Sequence, residues 1–392
     1  MTDRFLGSAP LAACLALLGL FSWSCSSGGS QENPSKGGVT IAADYHMVGL
    51  KAFADMSFPV NPDLKAHYWD EGVLTLDGES KFQVRGGGRP TERGLYKIQK
   101  NGMFTLLVPM SGGASLPLMG GADVEGEALW FTDRHAGGDG DLALWTCVRS
   151  RAKPKPEGTW NVALLTLVFS PKGAAPSPSE VGLAATGTLT IDAKGGVKGT
   201  LLESSLATLA VTGKVSTFPT PPGSAEISLS WKKAALQVTQ AYQGGVGDKL
   251  LVGVFHAQKR GGAVSLLLGL RAPSKALTGK ELSGKYLLGT FTLFLDPTRP
   301  GCDAAAGNLE LNDKDAFRAT MWGHTGKAFT FSGTYKPGKA GLVSFQETSP
   351  VKTPMWGAAC DGGKVLLFAD KKVETREPDL SLFLAVRERQ AK

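Results

Sequence analysis

The side chains able to do chemistry are few and scattered. Five histidines, His46, His67, His135, His256 and His324, stand singly, and none is followed by a second His or Cys at zinc-binding spacing. The chain holds no H-E-x-x-H, C-x-x-C, EF-hand or G-x-S-x-G pattern, so no zinc, calcium or serine-hydrolase signature is present. Asp133, Asp139 and Asp141 flank a Gly-rich stretch whose oxygens suit Ca²⁺, but a hairpin turn explains the same composition. Gly279-Lys-Glu-Leu-Ser-Gly-Lys285 approaches a phosphate loop, except that Tyr286 stands where a Ser or Thr must hold Mg²⁺. No metal and no cofactor is therefore expected. An exported hydrolase with dispersed carboxylates stays open as an alternative, because two such groups can lie far apart in sequence and meet in a cleft.

The scaffold behind these side chains is rich in turn formers: 51 of 392 residues are glycine and 22 proline, against about 7% glycine in an average protein. With 42% apolar and 20% charged residues, this is the composition of a turn-rich all-β protein with enough apolar material for a core. The net charge of +7 is local: residues 152–271 hold 12 basic and 6 acidic side chains. These are spaced singly at turn positions rather than in a dense Arg/Lys stripe, so nucleic acid is not an expected partner.

Three segments end in the same apolar strand and stop at arginine: Leu142–Arg149, Val264–Arg271 and Leu380–Arg387. Gly72–Asp77, Gly187–Asp192 and Gly307–Asn312 form a second ordered match, read as strands that begin at glycine and close on an Asx turn. Gly121–Phe131, Gly245–Val252 and Asp361–Phe368 form a third. One unit is thus used three times, giving expected β domains at 41–151, 156–272 and 279–390. Each should contain seven to nine antiparallel strands, with a clear hairpin at 225–240 turning at Lys232-Lys233, and each fits either a closed barrel or a β-sandwich.

Gly158-Thr-Trp160 opens the second copy and Arg271 closes it; Gly284-Lys-Tyr286 opens the third and Arg387 closes it. The pattern resembles the lipocalin and avidin-like (calycin) group, in which an aromatic on the first strand meets a basic residue on the last. The resemblance implies three tandem lipocalin-like antiparallel barrels, sealed by the pairs Trp160–Arg271 and Tyr286–Arg387. Copy one carries Gly49-Leu50-Lys51 near the corresponding place, with no aromatic in third position.

Residues 1–25 run from a short polar start through an apolar stretch to Cys25, and SSGGSQENPSKGG follows. This reads as an export signal and a tether; an uncleaved membrane anchor is the alternative. The segment resembles a bacterial lipoprotein signal peptide, which implies a signal at 1–24, lipidation at Cys25 and a flexible tether over 25–40, with Cys14 a second candidate. Ser26 points, through the same resemblance, to the outer membrane of the cell envelope. An oxidising exterior favours a Cys302–Cys360 disulfide, whereas Cys147 reads as a small core residue. The expected function is a non-enzymatic binding or structural module, held at the membrane by its lipid anchor. Its partner would be a small apolar ligand, a protein or a polysaccharide. A ligand cavity would be lined by Leu144, Thr146 and Val148 of the last strand, and the loops around Met119, Met355 and Trp356 are candidate contacts.

Overall fold

The computed structural model describes residues 41–53, 69–86, 91–110, 113–133, 141–168, 182–204, 207–233, 236–256, 263–294, 301–350, 352–371 and 379–389. Barrel 1 consists of β1 (Ala42–Phe53), β2 (Trp69–Asp77), β3 (Lys81–Arg85), β4 (Glu92–Ile98), β5 (Met103–Pro109), β6 (Ser115–Ala122), β7 (Ala128–Asp133) and β8 (Asp141–Arg149). Barrel 2 follows with β9 (Gly158–Val168), β10 (Gly182–Ile191), β11 (Gly196–Glu203), β12 (Thr208–Phe218), β13 (Ser224–Lys233), β14 (Leu236–Val246), β15 (Leu250–His256) and β16 (Ala263–Arg271). A helical turn, α1 (Gly279–Leu282), precedes barrel 3: β17 (Gly284–Phe294), β18 (Gly301–Leu311), β19 (Ala316–Trp322), β20 (Ala328–Pro337), β21 (Leu342–Ser349), β22 (Pro354–Ala359), β23 (Val365–Lys371) and β24 (Asp379–Arg387). In each barrel successive strands pair antiparallel and the last closes on the first. The sandwich alternative is excluded.

The strands alternate faces, and each barrel is filled from within. Tyr45, Phe104 and Phe131 belong to the interior of barrel 1, Trp160, Ile227 and Tyr242 to barrel 2, and Phe317, Phe345 and Phe368 to barrel 3. In barrel 3 the rings of Phe368 and Phe383 stack with centroids 4.5 Å apart. The strands differ from expectation in detail. Gly72, Gly187 and Gly307 lie within their strands rather than at the starts. Lys232 and Lys233 belong to β13, whose register with β14 runs on to Lys233 opposite Leu236.

The last strand of each unit is apolar on both faces because both are buried. Ala143, Trp145 and Cys147 point into barrel 1. Leu142, Leu144 and Val148 point outward into a fourth core shared with Leu266, Leu268 and Leu270 of barrel 2 and Leu382, Leu384 and Val386 of barrel 3. This reverses the expectation that Leu144, Thr146 and Val148 line a barrel cavity. Residues 37–392 form one unit. Within it β1 and β2 lie against β14 and β15, β9 and β10 against β23 and β24, and β17 and β18 against β6–β8. Each contact joins the opening strands of one barrel to the closing strands of the next, a head-to-tail arrangement that closes as a pseudo-threefold ring.

The same parts make each junction. The residue two beyond the closing arginine packs on a positive-φ glycine in the turn between the fourth and fifth strands of the next barrel. These pairs are Arg151 on Gly223, Pro273 on Gly341 and Arg389 on Gly102. His46 Nε2 lies 2.7 Å from the Pro222 carbonyl of one such turn, and Asn161 Nδ2 donates to the Ala340 carbonyl of another at 2.7 Å.

The expected disulfide does not form, and Cys302 and Cys360 are separate buried thiols. Cys302 sits beside Leu293 on β17, whereas the Cys360 amide donates to the carbonyl of Val365, whose row passes through Val386 to Leu287. Those rows lie six residues apart along β17, about 20 Å at 3.3 Å per residue, far beyond the roughly 7 Å that a disulfide spans between Cα atoms.

Candidate functional site

The ends of the barrels nearest their closing arginines are floors sealed by those side chains. Arg271 stacks on Trp160, its Cζ 4.5 Å from the ring centroid, and its Nε donates to the Asp248 carbonyl at 2.7 Å. The other guanidinium nitrogens donate to the carbonyls of Glu157 and Lys155, so the Pro-rich joint before barrel 2 wraps its floor. Trp160 Nε1 donates to the Pro156 carbonyl at 2.7 Å. Gly158 has φ +125°, and a Cβ there would come within 2.9 Å of the Arg271 guanidinium, which accounts for the glycine of the opening motif. Burial lowers the Arg271 pKa from its ordinary value. In barrel 3, Arg387 lies 5.3 Å from the Tyr286 ring centroid and donates to the Tyr286 hydroxyl at 2.8 Å. That hydroxyl donates to the Leu282 carbonyl at 2.6 Å, and burial pushes its pKa up to about 12. The segment that approaches a phosphate loop is thus α1, capped by Thr278, leading into the floor aromatic.

Barrel 1 carries the same device in altered form, and not at Gly49-Leu50-Lys51. Tyr45, not Leu50 or Lys51, lies opposite the closing Arg149. It is fully buried and donates to the Gly126 carbonyl at 2.8 Å. Ala43 takes the place of the motif glycine, and Arg149 instead approaches Glu127, at 3.5 Å. Because Ala43-Asp44-Tyr45 lacks the glycine of the G-x-W spelling, no local motif marks Tyr45, and only its register with β8 assigns it to the floor.

The floors meet where the turns between sixth and seventh strands converge, and these turns are the third repeated segment of the sequence. Glu125 of barrel 1 pairs with Lys249 of barrel 2 and Lys364 of barrel 3. Hydrogen bonds from these two lysines hold the Glu125 pKa below the usual carboxylate range. Asp123 beneath it is fully buried and accepts the Glu127 amide at 2.6 Å, yet burial raises its pKa. Burial likewise pushes the Cys360 thiol up to about 11, leaving it unreactive near neutral pH.

At the opposite end, barrel 1 contains a cavity of about 210 Å³ walled by Phe82, Leu106, Leu118, Phe131 and Trp145. Lys51, Glu92 and Asp133 bring charge to it. Lys51 is buried, with Nζ 5.3 Å from the centroid of the Trp145 ring. The volume lies below the ~300–1,000 Å³ of sites for drug-sized ligands, so it suits a short chain or a single ring. A hydrolase would need two carboxyl groups about 5–9.5 Å apart, a requirement that a second concavity does not meet along its strands. Asp44 and Glu71, which share that concavity, sit opposite Thr75 and Val48. Their Cα atoms are therefore spaced about 13 Å along the strands, and Asp44 is tied to the Thr75 hydroxyl at 2.6 Å.

The expected contact residues are on strands, not loops. Met119 lies on β6, where Thr105 Oγ1 is 3.7 Å from its sulfur. Met355 is buried inside barrel 3, and Trp356 packs against the shared outer core. Cys25, the signal segment and most of the Asp133–Asp141 turn lie outside the described residues. Among the described residues no helix is long and apolar enough to cross a membrane, and no group of three or more His, Cys, Asp or Glu side chains is placed to hold a metal ion.

No family model and no curated protein matches the chain. Among solved structures, transferrin binding protein B of Haemophilus parasuis, as a double mutant, is 10% identical, with a TM-score of 0.34 over 90% of this chain and 77% of that one. The isotype 1 protein of that name from serogroup B Neisseria meningitidis is 11% identical, with a TM-score of 0.32 over the same shares. A protein of unknown function from Nostoc punctiforme is 12% identical, with a TM-score of 0.21 over 59% of this chain and 96% of that one.

Proposed function

We propose that the chain is an exported, non-enzymatic binding protein, attached to the bacterial envelope through a lipidated Cys25 and presenting the three-barrel ring beyond a Ser/Gly tether. The cavity of barrel 1 supports this reading most directly. Aromatic and aliphatic walls would take the apolar body of a small amphiphile, and Lys51, Glu92 and Asp133 together would face a polar, uncharged head.

Calorimetric titration of the full chain with octanoate and octanol tests the pocket. The alcohol should bind more tightly than the acid, and Leu118→Asn, which makes one wall polar, should weaken it about tenfold, the equivalent of ~1.4 kcal/mol. Failure of both ligands to bind would refute the pocket. For the anchor, mass spectrometry of membrane-extracted protein should find an acylated Cys25 at the mature amino terminus; an unmodified residue elsewhere would refute it.

A further inference from the structure

The junction between barrels 1 and 2 holds a cleft of about 600 Å³. Its cause lies in the strands. β3 has five residues, against eight in β11 and seven in β19. Pairing of β2 with β3 therefore starts at Val73 opposite Arg85 and leaves Glu71 and Gly72 beyond it. From the other side, the Pro-rich turn after β12 leans in and fixes its Pro222 carbonyl on His46.

The lining is polar on one side and aromatic on the other. Phe218 at the end of β12 is 41% exposed and borders the cleft. Ser150 and Ser224 also line the cleft, and the hydroxyl of each is buried without a protein hydrogen-bond partner. Unpaired hydroxyls in a fold carry a standing cost. A serine has three staggered χ1 positions, so rotation can turn either hydroxyl toward an occupant. Gln243, positioned by its bond to Glu226 at 2.8 Å, adds an amide. Charge at the cleft comes from Asp44 and Glu71 against Arg85, which does not favour an anion. A purely apolar ligand would leave both serine hydroxyls unpaired.

We propose that this cleft binds a neutral oligosaccharide, with the apolar face of a sugar ring on Phe218 and its hydroxyls on Ser150, Ser224, Gln243 and Asp44. The volume falls within the range of sites that enclose small ligands. Hydroxyl, amide and carboxylate groups together supply both the donors and the acceptors that sugar hydroxyls require.

The test is titration of the full chain with cellotriose, chitotriose and maltotriose at roughly millimolar concentration, followed by calorimetry. At least one sugar should bind. Phe218→Ala should weaken it at least tenfold and Ser224→Ala several-fold, with melting temperatures close to that of the parent. Phe329→Ala, which removes a similarly exposed ring on β20 of barrel 3, should leave sugar binding unchanged. The proposal is overturned if none of the three sugars binds, if binding survives Phe218→Ala, or if Phe329→Ala weakens it as much.

Discussion

His46 and Asn161 occupy equivalent places on the first strands of barrels 1 and 2, and both reach a turn carbonyl of the next barrel. Only the histidine titrates near neutral pH. Burial, its largest cause, lowers the His46 pKa below the ordinary 6.5. Stability from this group is therefore fully present above pH 6.5 and is lost as pH falls through the lower folded-state value. His46→Asn should keep the bond to Pro222, with stability at pH 7.5 within about 1 kcal/mol of the parent, and should flatten the decline below pH 6.5. Urea unfolding of both proteins across that range measures this; equal declines would exclude His46 as the source. The floor arginines were legible among the residues because each closes a repeated strand. Tyr45 was not, because its partner is set by strand register rather than by a local motif.

Among the elements, the junctions depend on close approach between strands of different barrels. Trp130 on β7 packs over Gly289 on β17, where a Cβ would collide with the indole ring. Gly289→Ala should cost about 1–3 kcal/mol by overpacking, and Trp130→Ala about 3–5 kcal/mol by leaving a cavity. In the Trp130→Ala background the glycine substitution should cost much less, since the colliding ring is gone. Denaturant unfolding of the two single variants and the double variant gives the coupling; additive losses would show that the two residues do not meet. The strand pattern was visible as alternation and turn residues, and each unit has eight strands within the seven to nine expected. The strand boundaries slipped, at Lys232-Lys233 and at Gly72, Gly187 and Gly307, because pairing across a barrel extends strands past local turn formers.

For the whole molecule, the shared outer core makes the barrels interdependent. Leu380, Leu382, Leu384 and Val386 face away from the barrel 3 interior and are buried by the other two barrels. Residues 279–390 expressed alone would expose this stripe, a patch of a kind that soluble monomers rarely tolerate. Light scattering should find the fragment self-associated or insoluble; a stable monomer would mean that the seam contributes little to barrel 3. Glu125, Lys249 and Lys364 add a charged tie among the three barrels, though partly exposed ion pairs of this kind contribute at most about 1 kcal/mol.

Composition and periodicity were enough to specify an all-β chain built from one unit used three times, with an arginine closing each copy. Such properties survive without knowledge of what touches what. Closure into barrels, the choice of Tyr45 as partner to Arg149, and the separation of Cys302 from Cys360 follow from strand register, which pairs residues far apart in the chain. The ring exists only in three dimensions. An apolar residue at every position of a last strand records that both faces are buried, but says nothing of which neighbours bury them. The inward face and the seam therefore became distinguishable only when all three barrels were in place.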